Sequence, residues 1–125
     1  MALSERILRL AAAAASAASA KKGESPLVLE VGEILAITDA FVIASGTNDR
    51  QVRTIAEAVE ESVAAAGGPR PLRIEGLDDA RWVLLDYGEF VVHVFQEEAR
   101  RYYDLERLWA DAPRADWEGA LASPR

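Results

Sequence analysis

The chain has 125 residues, half of them hydrophobic, and carries a formal net charge of -7 at pH 7. This length and composition predict one globular domain with a real hydrophobic core and argue against a disordered chain. The negative balance argues against a grip on nucleic-acid phosphates, which needs clustered Lys and Arg, and favours a basic partner. The absence of cysteine excludes disulfides and thiolate metal sites, and it is typical of a cytoplasmic protein.

Residues 1–26 predict an N-terminal helical segment of the same domain. Apolar residues recur at helical spacing at Leu3, Ile7, Leu10 and Ala14. The stretch from 10 to 20 consists almost wholly of Ala and Ser, so it lacks the bulky centre of a signal peptide and is too short to span a membrane. We expect the helix to end near residues 21–23, with Gly23 in the position after its last turn.

Residues 27–111 predict the core of the domain. Apolar runs bounded by turn residues predict five strands, at Leu27–Val31, Ala40–Ala44, Pro71–Glu75, Arg81–Asp86 and Phe90–Phe95. A helix begins after Thr47 or Asn48 and ends at residues 67–69, Gly-Gly-Pro. The order predicts an α/β fold with a mixed sheet of about five strands, and with helices packed mainly on one face.

The C-terminal part of the chain is predicted to be helical first and loose afterwards. A charged helical region with paired tyrosines follows the last strand, and a short helix from Asp104 to Trp109 follows with Asp104 as its cap. Residues 112–125 have little hydrophobic pattern and predict a loose tail, in which Trp117 is the one candidate for docking.

Acidic charge is concentrated on the hairpin and on the helix after it. Residues 75–89 carry a net charge of -4 and residues 97–111 a net charge of -2, whereas residues 1–26 carry +2. A basic partner would therefore be attracted to this end of the chain.

Side chains alternate along the first hairpin strand, so its two faces have different characters. One face carries Trp82, Leu84 and Asp86. The opposite face carries Val83, Leu85 and Tyr87. If helices bury the second set, the first set is an exposed apolar patch rimmed by acid, a pattern typical of interaction sites. A core position for Trp82 beneath the N-terminal helix is the alternative with nearly equal weight.

Residues that suggest catalysis have simpler structural interpretations. The sequence Ser45-Gly46-Thr47 precedes a helix, but it lacks the lysine and the glycine spacing of a P-loop, so a cap and a tight turn are favoured. The neighbouring acids Asp78 and Asp79 are interpreted as solvated loop residues.

The single histidine, His93, has no predicted serine, cysteine or second histidine to complete a triad or a metal site. It is interpreted as a structural or surface residue on the face opposite its two valine neighbours. The Glu97-Glu98 pair is interpreted as a solvated face. We therefore predict no catalytic residue, no metal site and no cofactor.

Several motifs occur together in an order and spacing that resemble a known family. They are Ser45–Val52, Glu75–Gly76, Arg81–Gly88, Val91–Phe95, Glu97–Glu98 and Tyr102–Trp109. Over roughly residues 27–110 they look like the ribosomal silencing factors, also called the RsfS or Iojap-like family. In one departure, Ala80 stands where many relatives have glycine, which affects the loop before Trp82.

The resemblance implies a non-enzymatic translation repressor. Members of the family bind the fourteenth protein of the large ribosomal subunit on the face that meets the small subunit, and so block subunit joining, chiefly when nutrients are short. The resemblance also implies a fold similar to nucleotidyltransferases without their catalytic carboxylates. The sequence leaves the oligomeric state open, and a homodimer of the free protein is one of the states considered. By position, it places the partner-binding surface on Trp82, Leu84, Asp86, Glu98 and Tyr103, with Glu75 and Arg81 as neighbours.

Two other function classes stay open at this point. One is a metal-dependent nucleotidyltransferase-like enzyme or small hydrolase using Ser45, Asp78 and Asp79. The other is an adaptor for a different basic protein. Association with large subunits without nucleotide distinguishes the silencing factor from the enzyme.

Overall fold

The computed structural model of the chain describes residues 3–122, and the side chain of residue 122 is outside that description. The elements follow in the order α1 (Glu5–Ala20), β1 (Glu24–Glu30), β2 (Ala40–Gly46), α2 (Asp49–Ala65), β3 (Arg73–Glu75), β4 (Trp82–Asp86), β5 (Phe90–Gln96), α3 (Glu97–Tyr103), α4 (Leu105–Leu108), β6 (Arg114–Ala115) and α5 (Trp117–Ala122). Within this range no helix is both long and apolar enough to cross a lipid bilayer.

The strands form one open mixed sheet in the order β3-β4-β5-β2-β1-β6. Neighbouring strands are antiparallel except for β2 and β5, which run parallel in the centre. Helix α2 lies between these two strands in the chain, as a parallel connection requires. The α/β class is confirmed, and the sheet has six strands where the sequence predicted about five.

The first face of the sheet holds the larger apolar cluster. Helices α1 and α2 pack there against inward residues of the strands, and Leu10, Ile55 and Val59 are among the residues that lose almost all contact with water. The alanines of α1 let the helix approach both the sheet and α2, because a methyl group needs little space. This confirms that the helices pack mainly on one face.

The second face holds a smaller cluster, defined by buried residues of β1, β2 and β5 together with Ala99 of α3 and Leu105 of α4. These short helices cover only part of that face. The partly buried hydrophobic residues at its border are Leu27, Leu35, Trp82, Val91 and Trp109. The second face is therefore the part of the sheet that remains available for contacts.

The end of α1 differs in detail from the prediction. The left-handed position belongs to Lys22, at φ +64°, and not to Gly23. Gly23 follows it and donates its N–H to the Ala18 oxygen at 2.7 Å. A Cβ on Gly23 would lie 2.7 Å from that same oxygen. Glycine is required here for close approach, and not for the positive φ that its place in the sequence suggested.

The loose tail expected for residues 112–125 is wrong over its described part. Strand β6 pairs with Val28 and Leu29 of β1, and α5 packs beside α1. The indole N–H of Trp117 donates to the Pro26 oxygen at 3.0 Å, so the docking considered for Trp117 does occur. A strand of two residues is too short to show an alternation of apolar and polar side chains, and its partner strand is distant in the sequence. For these reasons the sequence did not predict β6.

Candidate functional site

Strand β4 presents two different faces, as its alternation predicted. Val83 and Leu85 are fully buried in the first-face cluster, and Tyr87 just beyond the strand is buried there as well. Trp82 and Leu84 point to the second face and keep part of their surface exposed. The patch of Trp82 and Leu84 is therefore on the side of the sheet away from α1.

Trp82 is packed on the second face and is still accessible. Its indole N–H donates to Nδ1 of His93 at 3.1 Å. The rings of Phe95 and Tyr103 each lie with their centroids 4.8 Å from that of Trp82. Trp82 is therefore neither a core residue beneath α1 nor a fully exposed one. It lies at the border of the second-face cluster, and one side of its indole packs on that cluster.

A groove of about 320 Å³ lies beside Trp82 and is lined by Glu75, Gly76, Trp82 and Leu84. Gly76 has φ +88°, and a Cβ there would lie 2.1 Å from the Trp82 oxygen. Only glycine fits this place. The structure thus joins Glu75 to Trp82 and Leu84 in one concave surface.

The loop from Gly76 to Ala80 contributes Gly76 to the lining of this groove. Arg53 of α2 holds the loop, because its guanidinium donates to the Leu77 oxygen at 3.0 Å and to the Asp78 oxygen at 2.6 Å. Ala80 is buried with φ +54°, a left-handed conformation that favours glycine. Alanine at this position is therefore strained, and it is the position at which the family resemblance suggests glycine.

Asp86 and Glu75 share one cation. Arg73 on the edge strand β3 lies between them, with its Nε 3.4 Å from Asp86 and 3.5 Å from Glu75. The other oxygen of Asp86 accepts the Gly88 N–H at 2.8 Å and so fixes the hairpin turn. Arg73 is well exposed, so both carboxylates remain within reach of a basic partner.

The remaining predicted residues flank the aromatic patch. Tyr103 ends α3 and is 48% exposed, with its ring against Trp82. Glu98 is exposed in the first turn of α3, and Arg81 is exposed just before β4. The Arg81 oxygen accepts the Gln96 N–H at 2.9 Å. Trp82, Leu84, Tyr103 and Glu75 therefore form a contiguous group, whereas Arg81 and Glu98 lie at its margin.

Further residues of the second face were missed by sequence reasoning. Val91 pairs with Asp86 across the hairpin. Paired residues of neighbouring strands lie on the same face of a sheet, so the alternation of side chains along β4 could have placed Val91 on the second face as well. Trp109 approaches the same face through Phe41, with ring centroids 5.7 Å apart. Leu108 beside it is 70% exposed. No local pattern connects 109 to 41, so only the folded chain shows this contact.

His93 is a buried strand residue, which confirms its structural interpretation. It lies in β5 on the second face, and the edge of the Phe41 ring packs on it at 4.7 Å. Burial lowers the pKa of His93 to about 4, because a charged imidazole would lose its hydration there. The ring is therefore neutral near pH 7.

In the possible phosphate loop, residues 45–47, the N–H and the hydroxyl of Thr47 are already bonded to another side chain of the protein. The side-chain oxygen of Gln51 accepts the N–H of Thr47 at 2.7 Å and its hydroxyl at 3.1 Å. Asn48 caps α2 by accepting the Gln51 N–H at 2.8 Å. These contacts confirm the interpretation as a cap and turn, since the donors that a phosphate needs already have acceptors.

The acids near the start of α3 interact with one another. A hydrogen bond from Glu97, together with its charge, raises the pKa of Glu24. Asp78 and Asp79 are exposed, in agreement with their interpretation as solvated loop residues. Within residues 3–122 no three His, Asp or Glu side chains are arranged so that they could hold a metal ion.

Comparison with known proteins gives consistent matches. A family model described as "Ribosomal silencing factor during starvation" matches residues 4–125. The ribosomal silencing factor RsfS of Bacillus subtilis is 44% identical over 110 residues, which make up 88% of this chain and 90% of that protein. A crystal structure of a Chromobacterium violaceum protein has a TM-score of 0.76 at 32% identity, and the match covers 81% of this chain and 83% of that one.

A mouse protein named mitochondrial assembly of ribosomal large subunit protein 1 is 33% identical over 85 residues, which make up 66% of this chain and 37% of that protein. The family match includes α1 and the tail, which motif comparison alone did not align.

Proposed function

The chain belongs to the family of ribosomal silencing factors, and from that premise we propose that it binds the large ribosomal subunit through that subunit's fourteenth protein. Bound there, it blocks association with the small subunit and represses translation when nutrients are short. The observation that carries the proposal is the partly exposed patch of Trp82, Leu84 and Tyr103 beside a groove that Glu75 also lines.

The chemistry of this patch suits a basic protein surface. Apolar contacts of Trp82, Leu84 and Tyr103 supply affinity when water leaves them. Asp86 and Glu98, with Glu75 nearby, supply charges that steer a Lys- or Arg-rich partner and fix its orientation. Arg73 already links Asp86 and Glu75, so a cation of the partner joins or replaces it.

The rigid support of the patch also favours binding over catalysis. Arg53 holds the loop from Gly76 to Ala80, and β4 is hydrogen-bonded to β3 along one edge and to β5 along the other. A surface that is already ordered loses little freedom on association. The name of the mouse relative refers to the large ribosomal subunit, which agrees with this choice of subunit. We propose that this chain acts on ribosomes in the cytoplasm.

We also propose that the free protein forms a homodimer through the same exposed patch. An apolar surface of this kind is costly to leave in water, and a second copy can cover it until the ribosomal partner does. Light scattering of the free protein should then give about twice the mass of one chain. A monomer at all concentrations would contradict this part alone.

Sedimentation with separated ribosomal subunits tests the main proposal. Tagged protein should pellet with large subunits in the absence of nucleotide, and it should reduce the yield of joined particles when small subunits are added. Tyr103→Glu should abolish both effects. Leu121→Glu on α5 is the matched control, because Leu121 is also 48% exposed and lies outside the patch. Protein bound only to small subunits, or equal effects of both variants, would refute the proposal.

A further inference from the structure

One buried polar residue of the second face has a contact that the fold itself does not need. His93 lies in β5 between Leu84 of β4 and Ile43 of β2, and it is buried among apolar and aromatic side chains. An apolar side chain would fill this place without burying polar atoms.

The two ring nitrogens of His93 are in different situations. Nδ1 accepts the indole N–H of Trp82 at 3.1 Å. An indole nitrogen can only donate, so Nδ1 carries no proton and the neutral ring carries its proton on Nε2. Among the residues that the structure describes, this buried Nε2 has no hydrogen-bond partner. An unsatisfied buried donor destabilises a fold, so His93 weakens the core with one nitrogen while it holds Trp82 with the other.

Trp82 is fixed from several directions. The rings of Phe95 and Tyr103 pack against the indole with their planes tilted 34° and 46° from it, while His93 accepts a hydrogen bond from its N–H. Ring contacts alone allow the indole to slide or turn over, since they are not directional. The hydrogen bond selects one orientation, and a side chain that is already ordered pays less entropy when it enters an interface.

We infer that His93 is a positioning residue, which fixes the indole of Trp82 in the orientation that meets the partner at the expense of fold stability. The inference deepens the proposed function, and its binding arm rests on it. Removing the acceptor should then lower affinity without a large loss of stability, whereas keeping an acceptor in a poorly packed side chain should lower stability without a large loss of affinity.

Two substitutions separate the roles. His93→Phe keeps a ring but removes the acceptor, and we expect its affinity for purified large subunits to fall about five- to ten-fold. Its melting temperature should change little, because the unsatisfied Nε2 donor is gone while the Trp82 indole N–H loses its acceptor. His93→Gln keeps an acceptor oxygen, so its affinity should stay within about two-fold of the original while its melting temperature falls. His93→Leu serves as a second acceptor-free variant of smaller volume if phenylalanine overpacks the site.

A second measurement needs no partner. Indole N–H signals in nuclear magnetic resonance spectra report on Trp82 and Trp117 in the free protein. In His93→Phe or His93→Leu, the Trp82 N–H should exchange faster with water. The Trp117 N–H, which donates to the Pro26 oxygen at 3.0 Å, should not change and is the internal reference.

The two measurements fail in different ways. If the unaltered chain binds no large subunits but the Trp82 signal responds as expected, the proposed function is wrong and the positioning role stands. If the acceptor-free variants bind at full strength, or leave the Trp82 signal unchanged, the inference is wrong. A sharp fall in melting temperature for both His93→Phe and His93→Leu would show a purely structural residue and would also overturn it.

Discussion

At the scale of single residues, Trp82 combines two environments in one side chain. Its packed side contacts Phe95 and Tyr103, and its other side borders the open groove with Leu84. Deleting the ring should therefore reduce both stability and binding, but by different amounts, because the packed side is only part of the indole.

We expect Trp82→Ala to remain folded and to lose ~1–2 kcal/mol of stability, since the site is half open and can relax. Its affinity for large subunits should fall about thirty-fold or more, which corresponds to ~2–4 kcal/mol. Circular dichroism melts and a binding titration measure the two effects. Trp117→Ala is the matched control, which should lose stability and keep its affinity. Weakened binding only in proportion to unfolding would exclude an anchor role.

A second prediction at this scale concerns the dependence of stability on pH. Burial lowers the pKa of His93 from 6.5 to about 4. Between these values the unfolded chain binds a proton that the folded chain does not, so the free energy of unfolding falls as the solution is acidified through this window. From about pH 7 to about pH 5 the loss should be roughly 2 kcal/mol. Urea unfolding measures it.

The control for this measurement is the variant His93→Leu, which lacks the only histidine of the sequence. Its unfolding free energy should change little over the same range of pH. Equal slopes for the two chains would show that other groups are responsible.

At the scale of elements, Arg100 joins helix α3 to the sheet. Its guanidinium donates to the oxygens of Glu24 and Ser25 at 2.8 and 2.9 Å, to the Ser45 hydroxyl at 3.0 Å, and to Glu106 of α4 at 2.9 Å. The side chain is only 10% exposed. One residue thus connects both short helices with the irregular start of β1, and it fixes the helix that carries Tyr103.

Arg100→Ala should cost ~3 kcal/mol of stability, because it leaves Glu106 and two backbone oxygens without their donor. The exposed neighbour Arg101 gives the control, and Arg101→Ala should stay within about 0.5 kcal/mol of the original chain. Chemical denaturation of both variants provides the comparison. Similar losses would mean that the contacts of Arg100 contribute little.

Local periodicity predicted the central elements well. The alternation of β4 placed Trp82 and Leu84 on one face, and residues 67–69 marked the end of α2, where Gly67 has φ +90°. Strand β6 was missed because two residues carry no period. The supports of the candidate site were missed for a related reason. Arg53 and Arg100 act on residues more than twenty positions away, and such contacts depend on the folded chain rather than on neighbours in sequence.

At the scale of the whole molecule, charge controls how fast a partner arrives. The net charge of -7 attracts a basic surface over a distance that salt shortens to about 8 Å at physiological ionic strength. Raising salt from about 50 to about 500 mM should slow association at least ten-fold and change dissociation little. Kinetic binding measurements on immobilised large subunits give both rates.

The paired variant Asp86→Asn with Glu98→Gln should show a weaker dependence of the association rate on salt. Glu5→Gln with Glu118→Gln changes the net charge equally on the opposite side of the fold, and serves as control. A larger effect of the control pair would place the contact elsewhere.

The short strand β6 lies along part of the β1 edge of the sheet. It covers the β1 edge through Val28 and Leu29, and the backbone N–H of Glu30 donates to the Pro113 oxygen at 2.8 Å. The unpaired N–H and C=O groups of an uncovered edge strand can pair with strands of other molecules, which leads to aggregation. A chain cut after Ala112 would lose this pairing, and we expect it to polymerise more readily than the intact chain. Strand β6 thus protects one edge of the open sheet, and it does so without covering the patch of Trp82 and Leu84 on the second face.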